Sequence, residues 1–127
     1  MADLEPTPQK SPLTRAMVEE IDATLLPTLE RHHLRLLAHC LASFQEMKAP
    51  ETTGPVPSLE QQRSWCQGQP QLRDDPQFSE LLLQQFQGAA KHLEALANSH
   101  GITPLELTLS HLIDEAVALA KARHQTP

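Results

Sequence analysis

The chain has 127 residues, which is enough for one folded domain of ordinary size and too few for several. With 3 Phe, 1 Trp and no Tyr, the core must be built from aliphatic side chains, which disfavours a β-rich fold because strands favour β-branched and aromatic residues. The net charge of -6 argues against nucleic acid or an anionic membrane as a general partner.

The termini and the two cysteines bear on targeting and redox environment. Residues 1–10 contain acidic residues and two prolines where a signal peptide needs a basic residue and an apolar run, and no stretch approaches the ~20 apolar residues of a membrane helix. Cys40 and Cys66 form no C-x-x-C motif and are expected to be reduced thiols. We therefore expect flexible tails at 1–10 and 125–127, no membrane association and a cytoplasmic location.

Residues 12–48 predict either one kinked helix or two helices. Ser11 and Pro12 suit a helix start, since serine caps free N–H groups and proline fits the first helical position. Apolar residues then return every four positions until Pro27, which removes a backbone donor and clashes with the preceding turn. The helical pattern resumes directly after Pro27, so the pattern leaves open whether this proline kinks one helix or separates two.

An exposed connection and a short helix are predicted next. Residues 49–57 hold three prolines and a glycine, a composition typical of a linker. The following S-L-E-Q sequence is a capping box and predicts a helix over 58–67, anchored by Leu59 and Trp65.

The C-terminal part of the chain predicts two long helices. The run Arg73-Asp74-Asp75-Pro76 caps the first, residues 76–100, whose apolar stripe has a 4-4-3-4-3-4 spacing: Phe78, Leu82, Phe86, Ala89, Leu93, Leu96 and His100. Gly101 ends this helix, and a capping box at 103–106 predicts a last helix from Pro104 to about Ala122. The expected fold is all-α: a single domain over 11–124, with three to five helices and an antiparallel C-terminal hairpin.

Residues 97–113 resemble the central turn of a helix-turn-helix, which suggests a DNA-binding regulator as an alternative function. The second helix of such a motif needs donors toward bases and phosphates. Here it offers Glu106, Asp114 and Glu115, with no Lys or Arg before Lys121. The pattern favours a tight helical hairpin, so nucleic acid is not the expected partner.

Metal binding is a further alternative, suggested by two pairs of residues. Glu30 and His33 form one E-x-x-H, and His111 and Glu115 are spaced i, i+4 on a helix. A carboxylate-bridged di-iron bundle needs a second E-x-x-H, which the sequence does not contain. We predict no metal and no cofactor, and keep these four residues as the metal candidates.

Catalysis is not expected, because the sequence has no phosphate loop, nucleophile elbow or H-E-x-x-H motif. Cys66 would become reactive only if Arg63 or Arg73 lowered its pKa. Whether Thr7 or Ser11 is modified cannot be decided from one sequence.

The leading hypothesis is a non-catalytic helical interaction module, an adaptor, assembly factor or regulator, that binds another protein or forms a homodimer. Leucines cover more than one side of the helices, and such surface must be buried on both sides or meet a partner. The predicted interaction residues are Leu34, Leu36, Leu37, Leu41, Trp65, Leu81 and Leu83.

Overall fold

A computed structural model describes residues 13–125, with side chains through residue 123. Within that range all regular secondary structure is helical, and there is no strand. The helices are α1 (Arg15–Asp22), α2 (Thr28–Lys48), α3 (Leu59–Gln67), α4 (Pro70–Arg73), α5 (Pro76–His100) and α6 (Leu109–Gln125), with a 3-10 turn at Pro104–Glu106. The all-α prediction is confirmed. The short α4 was missed, because Pro70 begins a helix here rather than only ending one.

The described chain divides into two compact units. The first comprises residues 13–42 and 109–125, and therefore α1, most of α2 and α6. The second is Ser43–Thr108, which carries the end of α2, α3, α4, α5 and the 3-10 turn. The single domain predicted for 11–124 and the antiparallel pairing of α5 with α6 stay predictions.

In the first unit, α1 begins later than predicted and ends before Pro27. Thr14 is the N-cap, and its hydroxyl accepts a hydrogen bond from the backbone N–H of Met17 at 3.1 Å. The start expected at Ser11 is therefore wrong. Ser11 and Thr7 both lie outside the described residues, and so do the predicted tails except for Gln125. Pro27 separates two helices, and Leu25 between them has a positive φ of 59°.

Two sets of ion pairs join the helices of the first unit. Asp22 at the end of α1 pairs with Arg31 at 3.3 Å and with Arg35 at 3.2 Å, both on α2. Arg123 of α6 donates to the carboxylate of Glu30 on α2. These side chains are partly exposed, so the pairs orient the helices more than they stabilise them.

Aromatic side chains form the centre of the second unit. The ring centroids of Phe44 and Phe86 are 5.2 Å apart, and those of Trp65 and Phe86 are 6.2 Å apart. The tilted contacts are the arrangement that aromatic rings prefer. Both phenylalanines are fully buried, so α2, α3 and α5 meet at this cluster.

A buried polar contact accompanies the aromatic cluster. Gln62 of α3 is 2% exposed; its amide donates to the carbonyl of Pro57 at 3.0 Å, and its oxygen accepts from Gln87 at 2.8 Å. Both polar ends are therefore satisfied, as burial requires. Leu59, one of the two predicted anchors of this helix, is instead 46% exposed.

The buried stripe of α5 matches the predicted one at Phe86, Leu93 and Leu96 and differs from it elsewhere. Leu83 and Ala90 are buried where the spacing predicted Leu82 and Ala89, while Phe78 is 50% exposed. Adjacent apolar residues fit the helical period equally well, so periodicity alone cannot choose between them.

The turn after α5 differs from the prediction in one respect. Gly101 ends the helix with a φ of 69°, as predicted. The carboxylate of Glu106 accepts a hydrogen bond from the backbone N–H of Thr103 at 3.2 Å, but the turn it caps is the 3-10 turn. The predicted start of the last helix at Pro104 is therefore wrong, since α6 begins at Leu109.

The predicted connection at 49–57 is confirmed as an irregular segment, and it is held to the 3-10 turn by its own backbone. The N–H of Gly54 donates to the hydroxyl of Thr103 at 2.9 Å, and its carbonyl accepts from the N–H of Leu105 at 3.3 Å. The segment thus packs on the turn instead of remaining a free linker.

Candidate protein-binding surface

Four of the predicted interaction leucines are inside the folded chain. Leu34, Leu37, Leu41 and Leu83 are between 2% and 5% exposed. This corrects the expectation that Leu34, Leu37 and Leu41 face a partner, because their apolar surface is already removed from water. Leu83 is equally buried, but its small exposed part lines a groove between α3, α4 and α5. Leu36 and Trp65 are half-buried, and Leu81 is the one predicted interaction residue that is largely exposed, at 59%.

Around Leu81, the second unit forms a groove of about 550 Å³ between α3, α4 and the start of α5. Its position follows from three consecutive helix boundaries. Gly68 ends α3, Pro70 begins α4, and the carboxylate of Asp75 caps α5 by accepting from the N–H of Phe78 at 3.0 Å. These tight connections place the three helices side by side within the unit.

The floor of the groove is apolar. Cys66, Leu72 and Leu83 line it and are each no more than 6% exposed. The hydroxyl of Ser79, which also lines the groove, donates to the carbonyl of Leu72 at 2.8 Å, so this polar group is satisfied within the fold. These three side chains expose only a small area to water, so an apolar side chain entering the groove would gain mainly van der Waals contact with the floor.

The thiol at the floor is not an activated nucleophile. Burial raises the pKa of Cys66, and the carboxylate of Glu80 raises it further, while the guanidinium of Arg63 opposes both. Arg63 was one of the two cations expected to lower this pKa, but the cost of desolvating a thiolate is the larger effect. Cys66 is therefore a protonated, uncharged side chain at neutral pH.

Charged side chains form the rim. Arg63 of α3 pairs with Glu80 of α5 across the groove, with 2.7 Å between Nη1 and Oε2. Arg73, in the last turn of α4, also lines the groove, and no hydrogen bond or ion pair joins its side chain to another residue in the range 13–125.

Two shallower concavities extend the groove on either side. One, of about 480 Å³, contains Leu81 and shares Pro76 and Glu80 with the groove. The other, of about 490 Å³, contains Leu59 and shares Arg63 and Gln67 with it. We call the groove with its two concavities the α3–α5 surface.

The α3–α5 surface has the features of a protein-binding site. Leu59 and Leu81 are exposed on it by 46% and 59%, and Phe78, one turn before Leu81 on α5, by 50%. Large apolar side chains exposed together beside a concave surface are typical of a protein interface.

The metal candidates are not brought together with further ligands. Glu30 accepts a hydrogen bond from Arg123, and His33 is exposed on α2. His111 and Glu115 lie one turn apart on α6. Among the side chains that the structure describes, no group of three or more His, Cys, Asp or Glu lies close enough to hold a metal ion, so the metal alternative gains no support.

The helix-turn-helix alternative also gains no support. Gly101 is followed by the 3-10 turn and then by Leu107 in an extended conformation, so the next helix begins only at Leu109. A tight turn leading directly into a recognition helix is therefore not present in this part of the chain.

Sequence reasoning missed most of the α3–α5 surface. It identified Leu81 but not Leu59, which was assigned as an anchor of α3. The exposed Phe78, which lines neither the groove nor its concavities, was assigned to the buried stripe of α5. The sequence contains only a weak signal for the exposure of Phe78. This residue lies in the first turn of α5, and apolar residues at a helix end are less often covered on all sides.

The family model described as NDH complex assembly factor CRR9 matches residues 13–123, which is most of the chain. Neither curated proteins nor solved structures gave a match. No helix within 13–125 is long and apolar enough to cross a membrane.

Proposed function

The chain belongs to the CRR9 family of NDH complex assembly factors, and from this membership we propose that it is a non-catalytic factor that binds a protein of an NDH complex during assembly. The α3–α5 surface is the proposed binding site. The observation that carries this proposal is the exposure of Leu81, 59%, beside a groove with an apolar floor.

The chemistry of the surface supports a binding role without a catalytic step. Its one thiol, that of Cys66, is buried and protonated at neutral pH, and none of the described residues lining the groove is a histidine. A cysteine nucleophile needs a low pKa or an adjacent base, and neither is found there.

The experiment is affinity purification of the tagged chain from cells that contain an NDH complex, at moderate salt, with mass spectrometry of the retained proteins. We expect the wild-type chain to retain an NDH protein in near-stoichiometric amount. Leu81→Glu should lower that amount by at least about tenfold, because it places a charge in an apolar contact.

Leu119→Glu is the matched control, since Leu119 is 50% exposed and lies on α6, outside the α3–α5 surface. It should retain the NDH protein like the wild-type chain. Failure of the wild-type chain to retain any NDH protein would overturn the proposed function. Equal retention by Leu81→Glu and Leu119→Glu would show that the binding site does not lie on the α3–α5 surface.

Two narrower expectations from the sequence stay predictions. The homodimer was inferred from surplus apolar surface, yet Leu34, Leu37 and Leu41 are buried within the single chain. Light scattering of the purified protein measures its oligomeric state directly. The cytoplasmic location is tested by fractionation of the cells that express the chain.

A further inference from the structure

The groove of the α3–α5 surface is suited to receive one apolar side chain. Its volume of about 550 Å³ lies in the range of small binding sites, and its floor is formed by side chains that cannot hydrogen-bond strongly. Leu72 and Leu83 are 6% and 3% exposed, so they belong to the packed core beneath the groove.

The charges lining the groove do not cancel. It is lined by two guanidinium groups, Arg63 and Arg73, and one carboxylate, Glu80, which leaves one positive charge. Arg63 and Glu80 neutralise each other at 2.7 Å. Arg73 therefore supplies the net charge, in a chain whose overall charge is -6.

The two acidic neighbours of Arg73 along the chain form no ion pair with it. Asp75 uses its carboxylate to cap α5, and Asp74 occupies the C-cap position of α4. Neither lines the groove, and neither is paired with Arg73 in the described structure. A planar guanidinium with its donors unused is the side chain that recognises a carboxylate best.

From this arrangement we propose that the groove binds a partner segment in which an apolar side chain is followed or preceded closely by Asp or Glu. The apolar side chain occupies the floor at Leu72 and Leu83, and the carboxylate pairs with Arg73. This proposal rests on the proposed function, because it specifies the partner chemistry of the same surface.

A protein segment fits better than a small amphiphile such as a fatty acid. The groove continues on both sides into the concavities that contain Leu59 and Leu81, so the apolar surface is longer than one side chain or one headgroup would cover. A segment of several residues would cover these leucines as well.

The test is selection of a random dodecapeptide library, displayed on phage, against the full chain. The wild-type chain should enrich peptides with Leu, Met or Phe within two positions of Asp or Glu. Arg73→Glu should lose this preference, because it replaces an attractive charge by a repulsive one. Display at an internal position leaves no free peptide carboxyl terminus, so the carboxylate must come from a side chain.

Lys91→Glu is the matched control. Lys91 is exposed on α5, away from the groove, and its replacement changes the net charge by the same amount. It should enrich the same peptides as the wild-type chain. Circular dichroism of each variant confirms that the fold is retained.

A synthetic peptide from the selection then gives the affinity. Arg73→Gln should weaken binding by about tenfold or more, and added NaCl should weaken binding to the wild-type chain more than to this variant. No enrichment on the wild-type chain, enrichment of peptides without acidic residues, or unchanged selection on Arg73→Glu would each overturn the proposal.

Two further outcomes distinguish binding of an acidic peptide segment from binding of a small amphiphile, and distinguish this proposal from the proposed function. Binding of dodecanoate at the groove, mapped by NMR, without peptide enrichment would overturn it in favour of a small amphiphile. Retention of an NDH protein by a chain that selects no acidic peptides would overturn this proposal alone, and the proposed function would stand.

Discussion

Two turns of the molecule each contain a residue with a positive φ, and this residue is a glycine in one turn and a leucine in the other. Gly101, after α5 in the second unit, has a φ of 69°, and Leu25, between α1 and α2 in the first unit, has a φ of 59°. Glycine adopts this left-handed conformation without cost, whereas a residue with a Cβ loses about 1–2 kcal/mol. One turn is therefore relaxed and the other is strained.

The contacts around Leu25 show what holds the strained turn in place. The hydroxyl of Thr24 accepts from the N–H of Leu26 at 3.2 Å and donates to the carbonyl of Ile21 at 2.7 Å. Arg31 donates from Nε to the carbonyl of Leu26 at 2.9 Å. The side chain of Leu25 contributes little, since it is 86% exposed. A strained residue can thus be maintained entirely by its neighbours.

The largest effect is expected at the side chain that secures the segment after Gly101. The amide of Gln45 donates to the carbonyls of Leu105 and Leu107 at 3.1 and 3.2 Å. Gln45→Ala leaves two carbonyls of buried residues without this donor and should lower the free energy of unfolding by about 1–3 kcal/mol. Urea denaturation measures it.

Gln85→Ala is the control for that prediction, because Gln85 is exposed on α5. It should be neutral or slightly stabilising, since alanine is the better helix former. If the two variants had equal stability, the segment after Gly101 would not depend on Gln45, and the relaxed turn would be held by Gly101 and the Thr103–Glu106 contacts.

Gly101→Ala tests the relaxed turn directly. A Cβ at this position would meet no atom within 4 Å, so the only cost is that of the positive φ, about 1–2 kcal/mol. Gly88→Ala, in the middle of α5 and equally open, should instead stabilise by about 0.5–1 kcal/mol. A lower Tm for Gly101→Ala together with a higher Tm for Gly88→Ala would show that the turn at Gly101 depends on glycine. Shifts of the same sign in the two variants would contradict this.

Leu25→Gly should raise stability, which is unusual for replacement of a leucine. Relief of the strain, about 1–2 kcal/mol, offsets the entropic cost of glycine, about 0.5–1 kcal/mol, so a net gain of up to about 1.5 kcal/mol is expected. Leu29→Gly, in the first turn of α2, should lose up to about 1 kcal/mol. A lower Tm for Leu25→Gly would mean that the turn is not strained.

The smallest effect is a dependence on pH at the relaxed turn. The hydroxyl and the N–H of Thr103 both donate to Glu106, and these hydrogen bonds hold the pKa of this carboxyl below its ordinary value of 4.5. The folded-state pKa is lowered, so the stabilisation is present above about pH 4.5 and is lost as the pH falls through the folded-state pKa.

Glu106→Gln should therefore have a slightly lower Tm than the wild-type chain at pH 7, and the two values should converge in acid. A difference in Tm that stays constant from neutral pH to below the ordinary pKa would show that the charge of Glu106 plays no part. Thermal unfolding followed by circular dichroism across this range provides the measurement.

Local sequence signals predicted the regular parts of the chain well. The capping box at Ser58, the cap at Asp75 and the glycine at the end of α5 are all found where the sequence places them. Each depends on a few neighbouring residues, whose hydrogen bonds form within one turn of the chain. The helix start expected at Ser11 was wrong, since α1 begins after a cap at Thr14, which has the same hydroxyl chemistry.

The candidate site was less predictable, because exposure depends on the whole fold. Leu81 and Leu83 are two residues apart and chemically identical, yet one is 59% exposed and the other is 3% exposed. Arg63 and Glu80 are 17 residues apart, and no local pattern indicates that they pair. The groove exists only because α3, α4 and α5 pack within one unit.

The sequence by itself determined that this protein is helical, that Pro27 interrupts the first apolar stripe and that Gly101 ends the longest helix. These properties follow from backbone dihedral preferences and short-range hydrogen bonds. Tertiary structure decided which leucines are buried, which charges pair and why Leu25 adopts a glycine-like conformation. Burial and charge pairing depend on residues distant along the chain, whereas the conformation of Leu25 is held by the hydrogen bonds of Thr24 and Arg31 around it.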